Sequence, residues 1–384
     1  MLARTAAHAL RATARTFQPF TRQTTRAFGA TASTSAEKIA VIGSGNWGSV
    51  AARIVGQNAK AHADVDDEVK VWVFEETVEH DGADRKLTEV INETHENVKY
   101  LPGCHLGDNV VAEPDLLTAV DGATMLVFVT PHQFIGGVCD TLRGKLPDGV
   151  RAVSLVKGME IRPDGFDMIS ELVTKELGID CSVLMGANIA NEIGLERFSE
   201  ATVGYADAAN GEAFRRMFHT DYFHVRAVED VAGAELCGTL KNIVALGAGF
   251  VDGLGLGNNT KAAVIRIGLV EMKRLSHALF PGRVKDDTFF ESAGVADLIT
   301  TCFGGRNRLC AEAYVAAGGA KSFDDIEAEL LNGQKLQGVL TSNELQVVLD
   351  ARGIAEEYPL FTTINRICGG HIGPERIVDY AKLP

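Results

Sequence analysis

A short apolar run at residues 38–42, KIAVI, passes directly into Gly43-Ser44-Gly45-Asn46-Trp47-Gly48 and then into the Ala- and Val-rich residues 49–55. The run has no helical period, so the order reads as strand, glycine turn, helix. That order is the unit that cradles the pyrophosphate of a dinucleotide. Gly43 makes the tight turn, Gly45 lets the backbone approach the pyrophosphate, and Gly48 lets the helix pack closely on the strand. The helix N-terminus then faces the phosphates with its free N–H groups. With 40 glycines in 384 residues, about 0.4 matches to three fixed glycines are expected by chance. The placement of the motif at the start of the folded chain therefore carries the reading.

Further strands follow in the pattern of an open parallel sheet. Residues 68–74 predict a second strand that ends in Phe74-Glu75-Glu76. An acidic residue there takes the adenosine ribose hydroxyls and repels a 2′-phosphate, which favours NAD. Glu75 is the first candidate and Glu76 the second; the alternative is a solvated acidic strand end. The interval from Gly48 exceeds the usual twenty or so residues, and a polar insert at residues 59–67 accounts for it. Residues 124–130 end at Pro131-His132-Gln133-Phe134, and residues 151–156 end at Lys157-Gly158. Residues 183–185 lead into Gly186-Ala187-Asn188-Ile189-Ala190-Asn191. Ligands of such sheets sit beyond the carboxyl ends of the strands, which puts Phe134 and Lys157 beside cofactor and substrate.

From about Val228 the strand patterning gives way to Ala, Leu, Glu and Lys at helical spacing. The fold class is therefore α/β: a Rossmann-like dinucleotide-binding domain at residues 37–228, followed by an all-helical substrate domain at 229–384. A second glycine cluster, from Gly247 to Gly257, lies inside the helix-like region and is read as close helix packing.

Composition narrows the function. Thirty-seven Lys and Arg against 51 Asp and Glu leave a net charge of -14, so a general nucleic-acid surface is not expected. Seven cysteines with no Cys-x-x-Cys pair read as reduced thiols and give no metal site. No uninterrupted apolar run approaches the roughly 18 residues of a membrane span. Residues 1–36, by contrast, hold five Arg (4, 11, 15, 22 and 26) and no Asp or Glu. Arg4, Arg11 and Arg15 fall opposite Leu2, Ala6, Leu10 and Phe17 on a helical wheel. This is the composition of an organellar transit peptide, read as a mitochondrial matrix address, with Arg26-Ala27-Phe28 as a processing-site match. The alternatives are a cytoplasmic protein with a disordered tail or a plastid address.

Three stretches in the second half are specific: CGTLKNIVALGAGFVDGLGLGNNTKAAVIRIG at 237–268, ESAGVADLITTCFGGRNR at 291–308 and NGQKLQG at 332–338. With GSGNWG, VKGME at 156–160 and GANIANE at 186–192, the chain closely resembles the NAD-dependent glycerol-3-phosphate dehydrogenases over about residues 37–370. The resemblance implies reversible reduction of dihydroxyacetone phosphate by NADH in a homodimer. It assigns the proton donor and acceptor to Lys241, with Lys157, Asn242 and Asp297 beside it. Lys157, Thr301, Arg306 and Asn307 would hold the substrate. Phe74, Glu75, Phe134, Ala190, Arg306, Lys335 and Gln337 would contact the cofactor together with the Gly43–Gly48 turn. His132 is a weaker catalytic candidate. The family usually has proline after KLQG, whereas Gly338-Val339 stands here.

The residue types suit the chemistry. Hydride transfer to a ketone develops an alkoxide, which needs a positioned proton donor. A free lysine, with a pKa of about 10.4, is a fit acid but too protonated to serve as a base near neutral pH. A neighbouring ammonium and burial would lower it. Gly304-Gly305-Arg306-Asn307 before a helix offers a guanidinium fork and helix N–H groups to a phosphate. The runners-up are another Rossmann-plus-helical hydroxyacid dehydrogenase and a non-catalytic NADH-binding protein.

Overall fold

The computed structural model describes residues 36–162, 165–318, 320–331 and 336–382. The arginine-rich leader and Lys335 thus lie outside the described residues. Eight strands form one sheet: β1 (Glu37–Ile42), β2 (Val65–Trp72), β3 (Val110–Glu113), β4 (Met125–Phe128), β5 (Arg151–Ser154), β6 (Asp180–Gly186), β7 (Ser199–Gly204) and β8 (Phe223–Val228). Their spatial order is β8-β7-β6-β5-β4-β1-β2-β3. Strands β1 to β6 are mutually parallel in the doubly wound order. The β6–β7 pairing is antiparallel, and β8 runs parallel to β7.

The apolar run at the start of the fold shows why the sheet is covered on both faces. Ile39 and Val41 of β1 join one core cluster, with Val50 and Ile54, while Ala40 and Ile42 join another, with Leu126 and Phe128. Continuous rather than alternating apolarity is what a strand buried on both faces requires. Helix α1 (Asn46–Ala61) follows the glycine turn and buries Val50, Ala51, Ile54 and Val55 against the sheet.

The polar insert at residues 59–67 spans the end of α1, a short turn and the start of β2. Helix α1 runs to Ala61 and β2 begins at Val65. The extra residues enter the strand as an irregularity, since Glu37 pairs with Val65 but Ile39 pairs with Val69. Asp66, Asp67 and Glu68 can be strand residues because this end of the sheet is partly open to solvent.

Among the described residues no strand follows Val228, and the rest is helical: α2 (Val231–Gly253), α3 (Gly257–Leu279), α4 (Asp297–Gly304), α5 (Arg306–Ala316), α6 (Gln337–Arg352) and α7 (Pro359–Cys368) are the main members. Helix α2 is long and apolar enough to cross a membrane, but its apolar window is wholly buried in the protein. The glycine cluster explains how neighbours come that close. A Cβ on Gly249 would lie 2.3 Å from the Arg308 carbonyl oxygen of α5, and one on Gly268 of α3 would lie 2.4 Å from Val244 of α2. Asp230 caps α2 through the Gly233 N–H at 2.7 Å and also accepts from Lys285 N and Thr288 Oγ1.

Two carboxylates of the central helices are buried and act as caps for others. Glu235 of α2 accepts from the N–H and hydroxyl of Ser170, in the first turn of the Ile169–Leu177 helix. Glu271 of α3 accepts from Leu360 N at 2.9 Å and Phe361 N at 3.0 Å, in the first turn of α7. Burial pushes each carboxyl up to about 7. The folded protein therefore holds these protons after the unfolded chain, near 4.5, has lost them. Their contribution to stability is full below about 4.5 and is lost as the pH rises to about 7. Glu235→Gln should abolish its share of that loss, on the order of 3 kcal/mol between these limits. Urea unfolding of both proteins from pH 4.5 to 8 measures it; parallel stability curves would contradict the assignment.

Candidate active site

The turn between β1 and α1 is built for close approach. Gly43 has φ +122, and a Cβ there would lie 3.0 Å from Thr130 N. A Cβ on Gly48 would lie 2.1 Å from the Gly43 carbonyl oxygen, so only glycine lets α1 sit on the turn. Gly45 is different, since no protein atom lies within 4 Å of its Cβ position. Helix α1 has no side-chain cap and no acidic residue in its first turn. Open space at Gly45 and uncapped N–H groups fit the pyrophosphate of NAD.

The side chains of Asn46 and Trp47 are bonded within the protein. Asn46 donates to the Tyr100 carbonyl at 2.6 Å and to Asn191 Oδ1 at 2.8 Å. Trp47 Nε1 donates to the Asn188 carbonyl at 3.0 Å. The Ser44 carbonyl accepts from Asn97. These bonds join the turn to the segment that carries Ala190, itself buried at the head of a short helix. Phe74 and Phe134, at the carboxyl ends of β2 and β4, are 72% and 58% exposed. Two bare aromatic faces beside the turn are available to stack on flat ligand rings.

Both acidic candidates have internal partners. Glu75 accepts from Thr88 Oγ1 at 2.6 Å and Thr88 N at 3.3 Å, in the first turn of the Leu87–Thr94 helix. Glu76 accepts from the Tyr100 hydroxyl at 2.6 Å and pairs with Lys99. A carboxylate has about four acceptor sites, so a ribose hydroxyl would share an oxygen already in use. The sequence pattern carried no sign of these partners, because Thr88 and Tyr100 lie beyond an intervening hairpin, Thr77–His80 with Ala83–Lys86.

The lysines expected to act together do meet. Asp297, 2% exposed, presents one oxygen to Lys157 Nζ at 2.9 Å and the other to Lys241 Nζ. Lys241 also donates to Thr301 Oγ1, which donates to the Asp297 carbonyl at 2.7 Å. Burial of Lys241 lowers its pKa well below the ordinary lysine range, Asp297 opposes that shift, and the Lys157 ammonium adds to it. When both lysines are protonated, two ammoniums against one carboxylate leave the cluster with one excess positive charge.

Three elements bring these groups together. Lys157 follows β5, Lys241 lies on α2, and Asp297 opens α4 after a π turn at Ser292–Ala296. That turn is fastened to the sheet: Ser292 Oγ donates to the Glu200 carbonyl at 2.6 Å, and Ala293 N donates to Thr202 Oγ1 at 3.2 Å. Neither Ser292 nor Thr202 stood out in the sequence, since single hydroxyls carry no periodic signal.

A second chain of bonds runs through Asn242. Asn307 Nδ2 donates to Asn242 Oδ1 at 2.9 Å, and Gly338 N donates to Asn307 Oδ1 at 2.8 Å. The side chain of Asn307 is therefore committed at both ends inside the protein, and Arg306 opens α5, whose first turn has no side-chain cap. Gly338-Val339 has a local reason. A Cβ on Gly338 would lie 2.7 Å from Asn307 Oδ1, and Val339 packs against the helical core. The Gln337 Oε1 atom is buried with no hydrogen-bond partner. His132 stands apart from the ammonium–carboxylate cluster, with its ring against Gly158. Among the described residues no group of His, Cys, Asp and Glu could hold a metal, and all seven cysteines are unpaired.

Comparison with known proteins agrees with this geometry. Residues 38–211 match the family model described as NAD-dependent glycerol-3-phosphate dehydrogenase N-terminus, and residues 230–379 match its C-terminus. The chain is 59% identical over 349 residues to glycerol-3-phosphate dehydrogenase [NAD(+)] 1, chloroplastic, of Arabidopsis thaliana, covering 91% of this chain and 86% of that one. It is 52% identical to the cytoplasmic glycerol-3-phosphate dehydrogenase [NAD(+)] of Rattus norvegicus, over 86% of this chain and 93% of the relative. The solved glycerol-3-phosphate dehydrogenase of Saccharomyces cerevisiae superposes with a TM-score of 0.84 at 44% identity, over 91% of this chain and all of that one. A dinucleotide turn, a buried two-lysine cluster and matches to both halves agree: the chain belongs to the NAD-dependent glycerol-3-phosphate dehydrogenase family.

Proposed function

We propose that the protein interconverts dihydroxyacetone phosphate and sn-glycerol 3-phosphate, with NAD as its cofactor. The observation that carries this reading is the excess positive charge of the Lys157–Asp297–Lys241 cluster. A buried cation surplus stabilises an oxyanion as it develops, far more than the same charges would in water. NADH supplies the hydride to the carbonyl carbon when it is bound at the Gly43–Gly48 turn. Lys241 gives its proton to the carbonyl oxygen during reduction and takes it back during oxidation. Asp297 holds both ammoniums, Asn242 completes the catalytic set beside Lys241, and Lys157 and Thr301 bind the substrate. Arg306 and Asn307 take the phosphate at the α5 N-terminus, while Lys335 and Gln337 close over the cofactor. Homodimerisation, implied by the family relationship, belongs to the same proposal.

The depressed Lys241 pKa gives the direction of the pH response. Oxidation needs neutral Lys241, so its rate should rise with pH until that lysine is deprotonated; reduction should fall over the same range. Lys241→Ala should lower turnover of dihydroxyacetone phosphate by roughly 10²–10⁴-fold with NADH affinity nearly unchanged. NADH absorbance with purified protein tests both the activity and the variant. Near-normal turnover would move the proton donor elsewhere, and none in the unaltered protein would defeat the proposal.

Arg306→Ala should damage use of the phosphorylated ketone at least roughly tenfold, and unphosphorylated dihydroxyacetone much less, because only the first substrate offers the guanidinium a phosphate. An equal loss on both substrates would make Arg306 a cofactor or fold residue.

We also read residues 1–36 as a mitochondrial matrix address, on their arginine face and absence of acids. The relatives carry cytoplasmic and chloroplastic names, which keeps both alternatives in the test. Fusing residues 1–36 to a fluorescent protein should carry it to mitochondria, and removing residues 1–35 should leave catalysis intact. A reporter found in plastids or cytosol would refute the address.

A further inference from the structure

Lys157 reaches Asp297 from a turn, and that turn is gripped from two sides. Thr239 Oγ1 accepts from Gly158 N at 3.1 Å and donates to the Gly158 carbonyl oxygen at 3.4 Å. One hydroxyl thus bonds both backbone groups of Gly158. Thr239 is 1% exposed and sits on α2 two residues before Lys241. The opposite wall is His132, itself 8% exposed. A Cβ on Gly158, whose φ is +146, would lie 3.1 Å from His132 Cγ and 3.3 Å from Nδ1. The lysine stem also runs close to α2, since a Cβ on Gly238 would lie 3.7 Å from Lys157 Cε. The His132 Nδ1 atom is buried with no hydrogen-bond partner, so the ring serves here as a surface.

We infer that Thr239, with His132 as the opposing wall, is a positioning residue that sets through Gly158 where the Lys157 ammonium meets Asp297. The inference rests on the proposal that Lys157 and Lys241 serve the reaction. Its physical basis is reach. A shift of the turn would move the Lys157 stem away from its 2.9 Å contact with Asp297, and small misplacements of a positioned group are costly in rate. Without the Thr239 hydroxyl the Gly158 N–H would be buried with no partner, and the backbone would move to find one. Lys241 would then face Asp297 with its companion ammonium displaced.

The test is a cycle between Thr239→Val and Lys157→Ala in the full enzyme, assayed with dihydroxyacetone phosphate and NADH. Thr239→Val should lower kcat roughly tenfold, equivalent to about 1.4 kcal/mol in the barrier, and leave the KM for NADH within about twofold. Thr239→Ser, which keeps the hydroxyl, should restore most of kcat. In the Lys157→Ala background Thr239→Val should have no further effect. His132→Phe, which keeps a ring against Gly158, should retain most of the turnover that His132→Ala loses. Equal losses from Thr239→Val in both backgrounds, a matching change in the NADH KM, or a His132→Phe enzyme as poor as His132→Ala would overturn the inference. Full activity of Lys157→Ala and Lys241→Ala would instead defeat the reaction assignment on which it rests.

Discussion

Everything in the site depends on one carboxylate. Asp297 is nearly inaccessible and faces two ammoniums, an arrangement that would be costly without all three groups. Burying an ammonium alone costs several kcal/mol, and only the shared carboxylate makes the pair tolerable. It also leaves the pair incompletely neutralised, which is the property a developing oxyanion requires. Lys157 comes from the end of a strand, Lys241 from the central helix and Asp297 from a separate helix, so the cluster joins the sheet to the helical half.

The glycines of this chain serve two opposite purposes. Gly48, Gly249 and Gly268 remove side chains where backbone or a neighbouring helix must come close, which is a packing role. Gly45 leaves open space instead, which suits the close approach of a pyrophosphate. Sequence shows both as glycine-rich stretches. Context does not separate them, since Gly45 and Gly48 stand in the same turn; the space around each Cβ position does.

Charge is used inside the protein as joinery. Glu235, Glu271 and Asp230 each leave a central helix or its cap to bond N–H groups of another segment. Helix ends leave donors without partners, and a carboxylate from a neighbouring helix both bonds them and complements the positive end of their dipole. The same logic explains why Glu75 has a structural partner at the head of the Leu87–Thr94 helix.

Local order was legible in the chain itself. Strand, turn and helix around Gly43–Gly48 and the change of periodicity near Val228 follow from short-range patterns, because burial on two faces and helical repeat write themselves into neighbouring residues; the catalytic set came from the family resemblance and not from any such pattern. The partners of single polar groups were not legible. Thr239 on Gly158, Ser292 on Glu200, Thr88 on Glu75 and Asn307 between Asn242 and Gly338 are bonds across long stretches of sequence. A lone hydroxyl or amide carries no period and no compositional mark. Only the packing of helices on the sheet decides which of many such groups come within hydrogen-bond distance of each other, and that packing determined how the lysines are held.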